Sequence, residues 1–346
     1  MGTGGGIEPT SFVGTRLEGG WTIRSLLEQA SAHTGGNFSI PFTVEHDGGE
    51  LGFLKMLDFR RGLRHPDPAA ALNSLTQSFL YERDLLYTCR DRKMSKVVRP
   101  LAHGTVRPPG SEIPWQYLIF ERADGDARDQ LAALSEIDDA WALRALHHMA
   151  IGLHQLHRAQ IAHQDLKPSN VLVFRDDFKI GDLGRASTLQ TGAVHDANHC
   201  AGDPSYSPPE ALYGAVPLDD WHMRRIGCDL YLLGSLAVSF YLNIGLTAAL
   251  LARINEDHHP RNWGDSYSAL LPHLRSSFSD VLLEIRRRAS LTIGEELSLV
   301  ISQLSDPDPT RRGHPQERPN GNRYSLERFI SIFDRLATSV EIRFRR

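Results

Sequence analysis

The chain has 346 residues, of which 41% are hydrophobic and 23% charged, and its formal net charge is -4. These values indicate an ordinary globular chain with one large domain or two smaller ones, and the slight negative charge argues against nucleic-acid binding as the default function. The three cysteines, Cys89, Cys200 and Cys228, form neither a metal-binding spacing nor a disulfide framework, so they favour a reducing compartment. The amino terminus lacks the apolar core of a signal peptide, and we therefore expect a cytoplasmic location.

The first part of the chain predicts a small β-rich region. Residues 1–20 are glycine-rich and show little apolar periodicity, so we predict a mobile arm there. Residues 21–29 are apolar enough for a first strand, although residues 26–29 could equally be helical. Residues 40–46 and 50–57 are strand-like runs joined by Asp-Gly-Gly, which predicts a hairpin.

Residues 68–90 predict a helix, because leucines and phenylalanine recur along one stripe. Glu82 lies within this helix, and Lys55 lies in the second strand of the hairpin. Taken singly, the lysine would be an edge residue facing solvent and the glutamate a solvated helix charge. Short strands are also expected near residues 97–104 and at residues 117–120.

A long amphipathic helix predicted at residues 137–160 leads into the stretch with most of the chemistry. This stretch reads His-Gln-Asp-Leu-Lys-Pro-Ser-Asn from position 163, and Asp-Leu-Gly from position 182. Asp165 could accept the proton of an attacking hydroxyl, with the positive charge of Lys167 beside it. Asn170 and Asp182 offer the oxygen atoms that Mg²⁺ takes. The residues between them predict a hairpin with a polar turn, which would return Asp182 to the side of Asn170.

The C-terminal part predicts a mostly helical region. The uncharged run at residues 230–252 is long enough to cross a bilayer. Polar side chains recur in it every four residues, however, so we predict a buried central helix and no membrane span. Residues 244–290 predict an insertion with a polar loop at residues 256–268, a candidate docking surface for a regulatory partner. Two further helices and a basic tail are expected at residues 293–304, 324–336 and 336–346.

The stretch from His163 to Gly184 resembles the catalytic loop and metal-binding motif of eukaryotic-type (Hanks-type) serine/threonine protein kinases. Small-molecule phosphotransferases of the aminoglycoside type share the His-x-Asp and Asn positions, but they usually lack a lysine equivalent to Lys167. The resemblance covers residues 21–335. It implies an α+β, bilobal protein-kinase-like fold, with a small antiparallel-sheet lobe at residues 21–120 and a larger, mostly helical lobe at residues 121–335.

The resemblance implies transfer of the γ-phosphate of Mg-ATP to serine or threonine hydroxyls of a protein substrate. Asp165 would orient the hydroxyl and take its proton, and Lys167 would steady the γ-phosphate. Asn170 and Asp182 would hold Mg²⁺. The other residues assigned to ATP are two loop glycines, the strand lysine with its helix glutamate, two residues after the strand at 117–120, and one leucine: Gly35, Gly36, Lys55, Glu82, Glu121, Ala123 and Leu172.

Three further assignments follow from the resemblance. Gly35 and Gly36 would let backbone N–H groups approach phosphate oxygens, although a plain hairpin turn fits these glycines equally well. The polar loop at residues 185–201 corresponds to the activation segment, and its end would be anchored by a buried Glu210–Arg312 salt bridge. Asp229, at the start of the central helix, would bond the backbone of the catalytic loop.

Three of the departures from the family pattern bear on activity. Gln164 replaces an arginine that reads a phosphate on the activation segment, so we predict a non-RD enzyme in which phosphorylation of Ser187, Thr188 or Thr191 is not the main switch. Asp203 replaces a threonine that bonds the catalytic Asp and Lys. It could pair with Lys167, but it also faces Asp165, and like charges raise a pKa. Phe53 replaces a small residue above the adenine, so it would displace the nucleotide or weaken its binding.

Two alternatives stay open at this point. The chain could be a pseudokinase, a nucleotide-sensing or scaffolding module without turnover. Phe53, Asp203 and the glycine loop, in which Ser39 occupies the place of the last glycine, would allow this. The enzyme is favoured because the chain keeps the complete set of Lys55, Glu82, Asp165, Asn170 and Asp182. A small-molecule kinase is the other alternative, and Lys167-Pro168 together with the Glu210–Arg312 anchor argues against it.

Overall fold

The computed structural model describes residues 8–27, 39–107, 113–134, 136–175, 177–190, 202–216 and 219–344. The described residues divide into two compact units. The first falls within Met1–Lys93 and Val98–Asp124, and the second within Met94–Val97 and Gly125–Arg346.

The first unit is built on a five-stranded antiparallel sheet. Its strands are β1 (Trp21–Leu26), β2 (Ser39–His46), β3 (Leu51–Leu57), β4 (Pro100–Val106) and β5 (Trp115–Glu121). They lie in the order β1-β2-β3-β5-β4, and β2 and β3 form the predicted hairpin. Burial alternates along both strands, as it does when one face of a sheet is covered: Phe42 and Leu54 are fully buried, whereas Thr43 and Lys55 are half-buried.

Two helices accompany this sheet, α1 (Phe59–Leu63) and α2 (Pro68–Asp91). The second confirms the helix predicted at residues 68–90. It begins where the Asp67 carboxylate accepts a hydrogen bond from the backbone N–H of Ala70, and Pro68 stands at its first position. Both features are favoured at a helix N-terminus, because they satisfy or avoid a backbone donor that has no partner within the helix.

The mobile arm predicted for residues 1–20 is wrong for residues 8–20; residues 1–7 lie outside the described part of the chain. Two short 3₁₀ helices form there, and Phe12 is fully buried, with its ring centroid 6.2 Å from that of Phe42 and 5.3 Å from that of Trp115. The backbone also pairs with β1, since Gly14 N donates to Ile23 O at 2.8 Å. One aromatic anchor and a few backbone bonds therefore order a glycine-rich segment.

The second unit is mostly helical and carries two small sheets. Its helices are α3 (Ala127–Ala133), α4 (Asp139–Arg158), α5 (Pro209–Leu212), α6 (Gly227–Leu242), α7 (Leu246–Leu251), α8 (Tyr267–Arg288), α9 (Gly294–Ser305) and α10 (Glu327–Phe344). Its strands are β6 (Gly125–Asp126), β7 (Ile161–Ala162), β8 (Val171–Phe174), β9 (Asp177–Ile180) and β10 (Ser187–Thr188). One sheet has the order β6-β8-β9, and the other pairs β7 with β10. The small antiparallel sheet followed by a larger helical unit confirms the predicted α+β class.

Helix α6 forms the centre of this unit. A single π-helical turn, His222–Ile226, precedes it, and residues 227–241 of α6 are all buried. The combined helix His222–Leu242 is long and apolar enough to cross a membrane by those measures alone, but 94% of its most apolar window is buried inside the protein. Among the residues described it is the one helix that meets these measures, and such burial is typical of a core helix.

The C-terminal segments differ from the sequence prediction in one respect. Helix α10 continues to Phe344, so the tail predicted from residue 336 is helical as far as the structure describes it. Its inner face is buried, and Arg144 of α4 bonds two of its acids, with Nη1 3.0 Å from Asp334 and Nη2 2.6 Å from Glu341. The region at residues 244–290 contains α7 and α8 with a mainly irregular segment between them. Its role as a docking surface stays a prediction.

Candidate active site

The backbone of the stretch beginning at His163 is held by the buried carboxylate of Asp229. His163 N donates to Asp229 Oδ2 at 2.7 Å, and Gln164 N donates to Oδ1 at 2.8 Å. His157 at the end of α4 contacts the same carboxylate at 2.9 Å. Gln164 has a φ of 70°, a left-handed conformation that non-glycine residues rarely adopt, so these bonds stabilise a strained backbone. The predicted role of Asp229 is confirmed.

Asp165 has hydrogen-bond or charge partners at both carboxylate oxygens. Oδ1 accepts from the backbone N–H of Asp203 at 3.0 Å. Oδ2 accepts from Asn170 Nδ2 at 3.1 Å and lies 3.2 Å from Lys167 Nζ. Asp165 is 8% exposed and Lys167 5% exposed. The carboxylate is therefore fixed in orientation by three groups, which is the arrangement that a general base requires.

Gly202 permits this contact between two segments. A Cβ atom at position 202 would lie 2.3 Å from the carbonyl oxygen of Gln164 and 2.7 Å from Asp165 Oδ1. Both distances are far below van der Waals contact, so any larger residue would push the segments apart. Glycine is needed here for close approach, and the sequence pattern gave no sign of it.

The predicted hairpin forms, and it joins Asn170 to Gly181, the residue before Asp182. Strands β8 and β9 pair with Val171 opposite Ile180, and Gly181 N donates to Asn170 O at 2.9 Å. The Asn170 amide nitrogen donates to the backbone oxygen and the carboxylate of Asp165, so its oxygen is the atom suited to bind a cation. Asp182 has a φ of 54° and accepts from Gly184 N at 3.1 Å. One amide and one carboxylate oxygen fit Mg²⁺ that also binds phosphate oxygens.

Asp203 pairs with Lys167, as predicted, but its electrostatics differ from the expectation. Its Oδ2 lies 3.6 Å from Lys167 Nζ, and its Oδ1 accepts from Ser205 N at 3.0 Å and from Ser205 Oγ at 2.6 Å. Burial acts to raise the pKa of Asp203, but the Ser205 hydrogen bonds and the charge of Lys167 outweigh it, so the pKa lies below its ordinary value. The Ser205 donors and the Lys167 charge, rather than Asp165, decide the sign of the shift.

In the first unit, Lys55 and Glu82 form the predicted pair. Lys55 Nζ lies 2.9 Å from each carboxylate oxygen of Glu82, and the side chains are 20% and 6% exposed. Lys55 is on β3 and Glu82 on α2, so the pair ties the helix to the sheet. Phe53, two residues before Lys55, lies on the same face of β3, and its ring centroid is 6.4 Å from that of Phe120.

The remaining residues assigned to ATP are placed as follows. Glu121 ends β5, where its N–H donates to Arg99 O at 3.1 Å and its carboxylate accepts from Arg99 N at 2.8 Å. Ala123 is half-buried, two residues later in the same unit. Leu172 lies in β8 of the second unit, opposite Asp126 of β6. Gly35 and Gly36 lie outside the described residues, so their assignment stays a prediction.

The predicted anchor between Glu210 and Arg312 is confirmed. Arg312 Nη1 and Nη2 lie 2.5 and 2.7 Å from the two carboxylate oxygens of Glu210, and the side chains are 0% and 3% exposed. Arg312 Nε also donates to Asp306 O at 2.9 Å. Burial acts to lower the pKa of Arg312, and the charge of Glu210 more than offsets it, so the pKa is raised.

Two polar contacts near the site were missed by sequence reasoning. Gln164 is buried, where its Nε2 donates to Arg225 O at 2.7 Å and its Oε1 accepts from Arg225 Nη1 at 3.1 Å. Ser187 of β10 is 1% exposed, and its Oγ accepts from Trp221 Nε1 at 3.1 Å. Neither Arg225 nor Trp221 stands in a recognisable motif, so only the fold brings them to these partners.

Comparison with known proteins places these residues in a family. Residues 81–316 match the family model described as protein kinase domain. Serine/threonine-protein kinase grp of Drosophila melanogaster is 27% identical over 224 residues, which are 63% of this chain and 38% of that protein. Mitogen-activated protein kinase 7 of Arabidopsis thaliana is 32% identical over 176 residues, 48% of this chain and 46% of that protein. Serine/threonine-protein kinase Nek11 of Mus musculus is 33% identical over 148 residues, 39% and 22% of the two chains. The matches thus span less than half of each relative.

Proposed function

Because this chain belongs to the protein kinase family, we propose that it transfers the γ-phosphate of ATP to serine or threonine hydroxyls of a protein substrate. The observation that carries the proposal is the fixed Asp165 carboxylate, which lies beside Lys167 and Asn170 with both oxygens engaged. The names of two relatives, each a serine/threonine-protein kinase, support the serine/threonine class. Catalysis by such a site is mainly a matter of positioning and charge stabilisation.

In the proposed reaction, Asp165 orients the acceptor hydroxyl and takes its proton at a carboxylate oxygen. Lys167 stabilises negative charge on the transferred group, as its short distance from Asp165 supports. Lys55 contacts the α- and β-phosphates, and Glu82 keeps it in place. Asn170 and Asp182 would hold Mg²⁺, which when bound neutralises charge on the phosphate oxygens. The hydrogen bond from Asn170 Nδ2 meanwhile keeps the Asp165 carboxylate in its orientation.

We also propose that phosphorylation of the activation segment is not the main switch. Gln164 carries no charge with which to bind a phosphate, and its side chain is buried against Arg225 and Asp229. The Ser187 hydroxyl is buried and already accepts a bond from Trp221. Activity should persist when Ser187, Thr188 and Thr191 are all replaced by alanine. Its complete loss in a folded triple variant would contradict this proposal.

A pseudokinase is the second candidate, and the position of Phe53 is the observation that favours it. Its ring lies on the Lys55 face of the sheet, near Phe120, where it reduces the space open to a flat base. Measuring ATP binding and phosphate transfer together separates the two candidates. An enzyme with a displaced nucleotide still binds ATP and turns it over, whereas a pseudokinase shows either no binding or binding without transfer.

The test is transfer of labelled γ-phosphate from Mg-ATP, to the protein itself and to a generic basic protein. Wild type would be measured beside Asp165→Ala and Asp182→Ala, with Asp177→Asn as the matched control, because Asp177 lies on the same hairpin and pairs with Lys96. We expect label in wild type and the control, and none above background in the other two. Label that survives both alanine substitutions would refute the assignment, and a wild type that binds ATP without transfer would establish the pseudokinase.

A further inference from the structure

The turn between α8 and α9 contains a serine that follows two arginines. The sequence there is Arg287-Arg288-Ala289-Ser290-Leu291, and at no other serine or threonine of the chain do arginines stand both three and two residues before the hydroxyl. Protein kinases select substrates partly by charge, and carboxylates are the natural partners of guanidinium groups beside an acceptor hydroxyl. The five residues therefore have the pattern that suits a kinase selective for serines after arginines, here called an arginine-directed kinase.

Four of these five residues lie at the surface. Arg287, Arg288 and Ser290 are exposed, and Leu291 is 99% exposed. A leucine this exposed adds almost no buried area to the fold, so its whole side chain is available to a partner. Ala289 is buried, but α8 has already ended at Arg288, and Ala289 is extended with φ -70° and ψ 154°. The acceptor serine thus lies in a non-helical segment at the surface.

The three arginines at the end of α8 are held only by exposed contacts. Arg286 pairs with Glu295 of α9 at 3.2 Å, and Arg288 pairs with Glu284 at 2.8 Å. Over the described part of the chain, Arg287 has no ion pair. Exposed pairs contribute little to stability, and the last turn of a helix opens at small free-energy cost. An enzyme that presents carboxylates to Arg287 and Arg288 therefore has little structure to displace.

The backbone of Ser290 is bonded to Asp139, the first residue of α4. Ser290 N donates to Asp139 Oδ2 at 3.1 Å, and the hydroxyl of Tyr241, near the end of α6, donates to Oδ1 at 2.7 Å. One carboxylate therefore joins α4, α6 and the α8–α9 turn. The Ser290 hydroxyl takes no part in this joint, since its described partner is Thr292 Oγ1 at 3.3 Å. A charge added to that hydroxyl would act directly on the joint.

We propose that Ser290 is a phosphorylation site for an arginine-directed protein kinase, and that its phosphate weakens the bond between the α8–α9 turn and Asp139. In the transfer, Ser290 Oγ bonds to the γ-phosphorus of ATP, the bond from that phosphorus to the β–γ bridging oxygen breaks, and ADP leaves. The hydroxyl proton passes to the catalytic carboxylate of the modifying enzyme. A phosphoserine carries a charge of about -1.5 to -2 at neutral pH, so it repels Asp139. Ser290 is an acceptor whether or not this chain itself transfers phosphate.

The first test measures labelled phosphate taken up from Mg-ATP by Asp165→Ala, with and without a purified arginine-directed kinase. A synthetic peptide with arginines three and two residues before a serine confirms that the added enzyme is active. We expect label that depends on this enzyme, maps to Ser290 by mass spectrometry and is absent in Ser290→Ala. Joint replacement of Arg287 and Arg288 by alanine should slow it by about tenfold or more, because charge-assisted hydrogen bonds are lost. No label on the chain while the peptide is labelled, or label that survives Ser290→Ala, overturns the proposal.

Ser95 is the matched control in this test. It is also exposed, and Arg92 and Lys93 stand three and two residues before it, but Lys96 follows it in place of a leucine. Its hydroxyl accepts a bond from Gln155 Nε2 at 3.0 Å. We expect Ser95→Ala to take up as much label as the parent protein. Label lost in Ser95→Ala and kept in Ser290→Ala would overturn the assignment of the site.

The second test measures what the phosphate does to the joint at Asp139. The apparent melting temperature of Asp165→Ala should fall by about 2 °C or more once Ser290 is phosphorylated. The fall should be smaller when Asp139→Asn is also present, because the repelling charge is gone. If that variant does not fold, high salt gives the same information, since screening should reduce the fall. No fall on phosphorylation, or a fall that neither Asp139→Asn nor salt reduces, would overturn the proposed effect on Asp139.

Discussion

Arg312 and Lys167 are both buried cations of the second unit, but their carboxylate partners hold them in different ways. Arg312 makes two short bonds, of 2.5 and 2.7 Å, to the one carboxylate of Glu210 and another to a backbone oxygen. Lys167 lies 3.2 Å from Asp165 and 3.6 Å from Asp203. One cation is thus saturated by close partners, and the other is shared between two more distant ones.

This difference distinguishes a cation with a structural role from one that is suited to bind a phosphate. A guanidinium bonded at both nitrogens to one carboxylate has a single favoured geometry, and a third ligand has no place beside it. An ammonium is a compact charge on a flexible stem, and with longer contacts it can turn to a phosphate oxygen at small cost. The same unit therefore contains a pair that fixes the chain and a cluster that is suited to bind charge.

The largest effect should come from breaking the saturated pair. Arg312→Ala leaves Glu210 buried without its partner, so the free energy of unfolding should fall by about 3–5 kcal/mol. Denaturant unfolding measures this loss. The paired substitution of Glu210→Leu and Arg312→Met should recover much of it, because no buried charge is then left over. A loss of about 1 kcal/mol or less, as for exposed pairs, would contradict a structural role for the anchor.

A smaller effect is expected from breaking the close contact of Gly202 with Gln164 and Asp165. In Gly202→Ala the added Cβ meets the Gln164 carbonyl and Asp165, so the two segments must move apart. Turnover should fall by about a hundredfold, the size expected from a shift of about 1 Å in a catalytic group. Gly264→Ala is the matched control, because its Cβ has open space. Unchanged turnover in Gly202→Ala would show that the position of Asp165 is not set by this contact.

The smallest effect concerns how the stability that Asp203 contributes depends on pH. The folded-state pKa of Asp203 is lowered, so its ionised form stabilises the protein above the unfolded value of about 3.9, and this stability is lost as pH falls through the folded value. The difference in unfolding free energy between wild type and Asp203→Asn should therefore be constant from about pH 5 to 8 and shrink below about pH 4. A difference that grows as the pH falls would mean that folding raises the pKa of Asp203 instead of lowering it.

The parts of the site that are close in sequence could be predicted from it. Asn170 and Asp182 belong to one hairpin, so the strand pattern was enough to bring them together. The distant pairs Lys55–Glu82 and Glu210–Arg312 were predicted through the family resemblance, since no local pattern joins residues so far apart. For the four residues of these two pairs, the charge that identifies the residue is also the group that makes the contact.

The failed predictions depend on contacts whose partners are ordinary residues. A glycine-rich composition indicated a mobile arm, but it gave no sign that the single ring of Phe12 would fit between Phe42 and Trp115. The expected effect of Asp203 on a pKa was judged from Lys167 and Asp165, whereas the hydroxyl and N–H of Ser205, which lower the pKa of Asp203, were not foreseen. The contact of Gln164 with Arg225 was not predicted at all, because it depends on how the π-helical turn before α6 packs, which the local sequence does not specify.

The most direct test of the account is the rate of labelled phosphate transfer by Lys167→Met at saturating Mg-ATP. Lys179→Met is the control, because Lys179 lies on the same hairpin and its ammonium contacts the ring of Phe174. We predict that Lys167→Met lowers kcat by about 10²–10³-fold, as loss of a charge-stabilising group does, with less loss of stability than Arg312→Ala. Wild-type turnover in Lys167→Met would contradict the account, since the shared cation would then have no part in the chemistry.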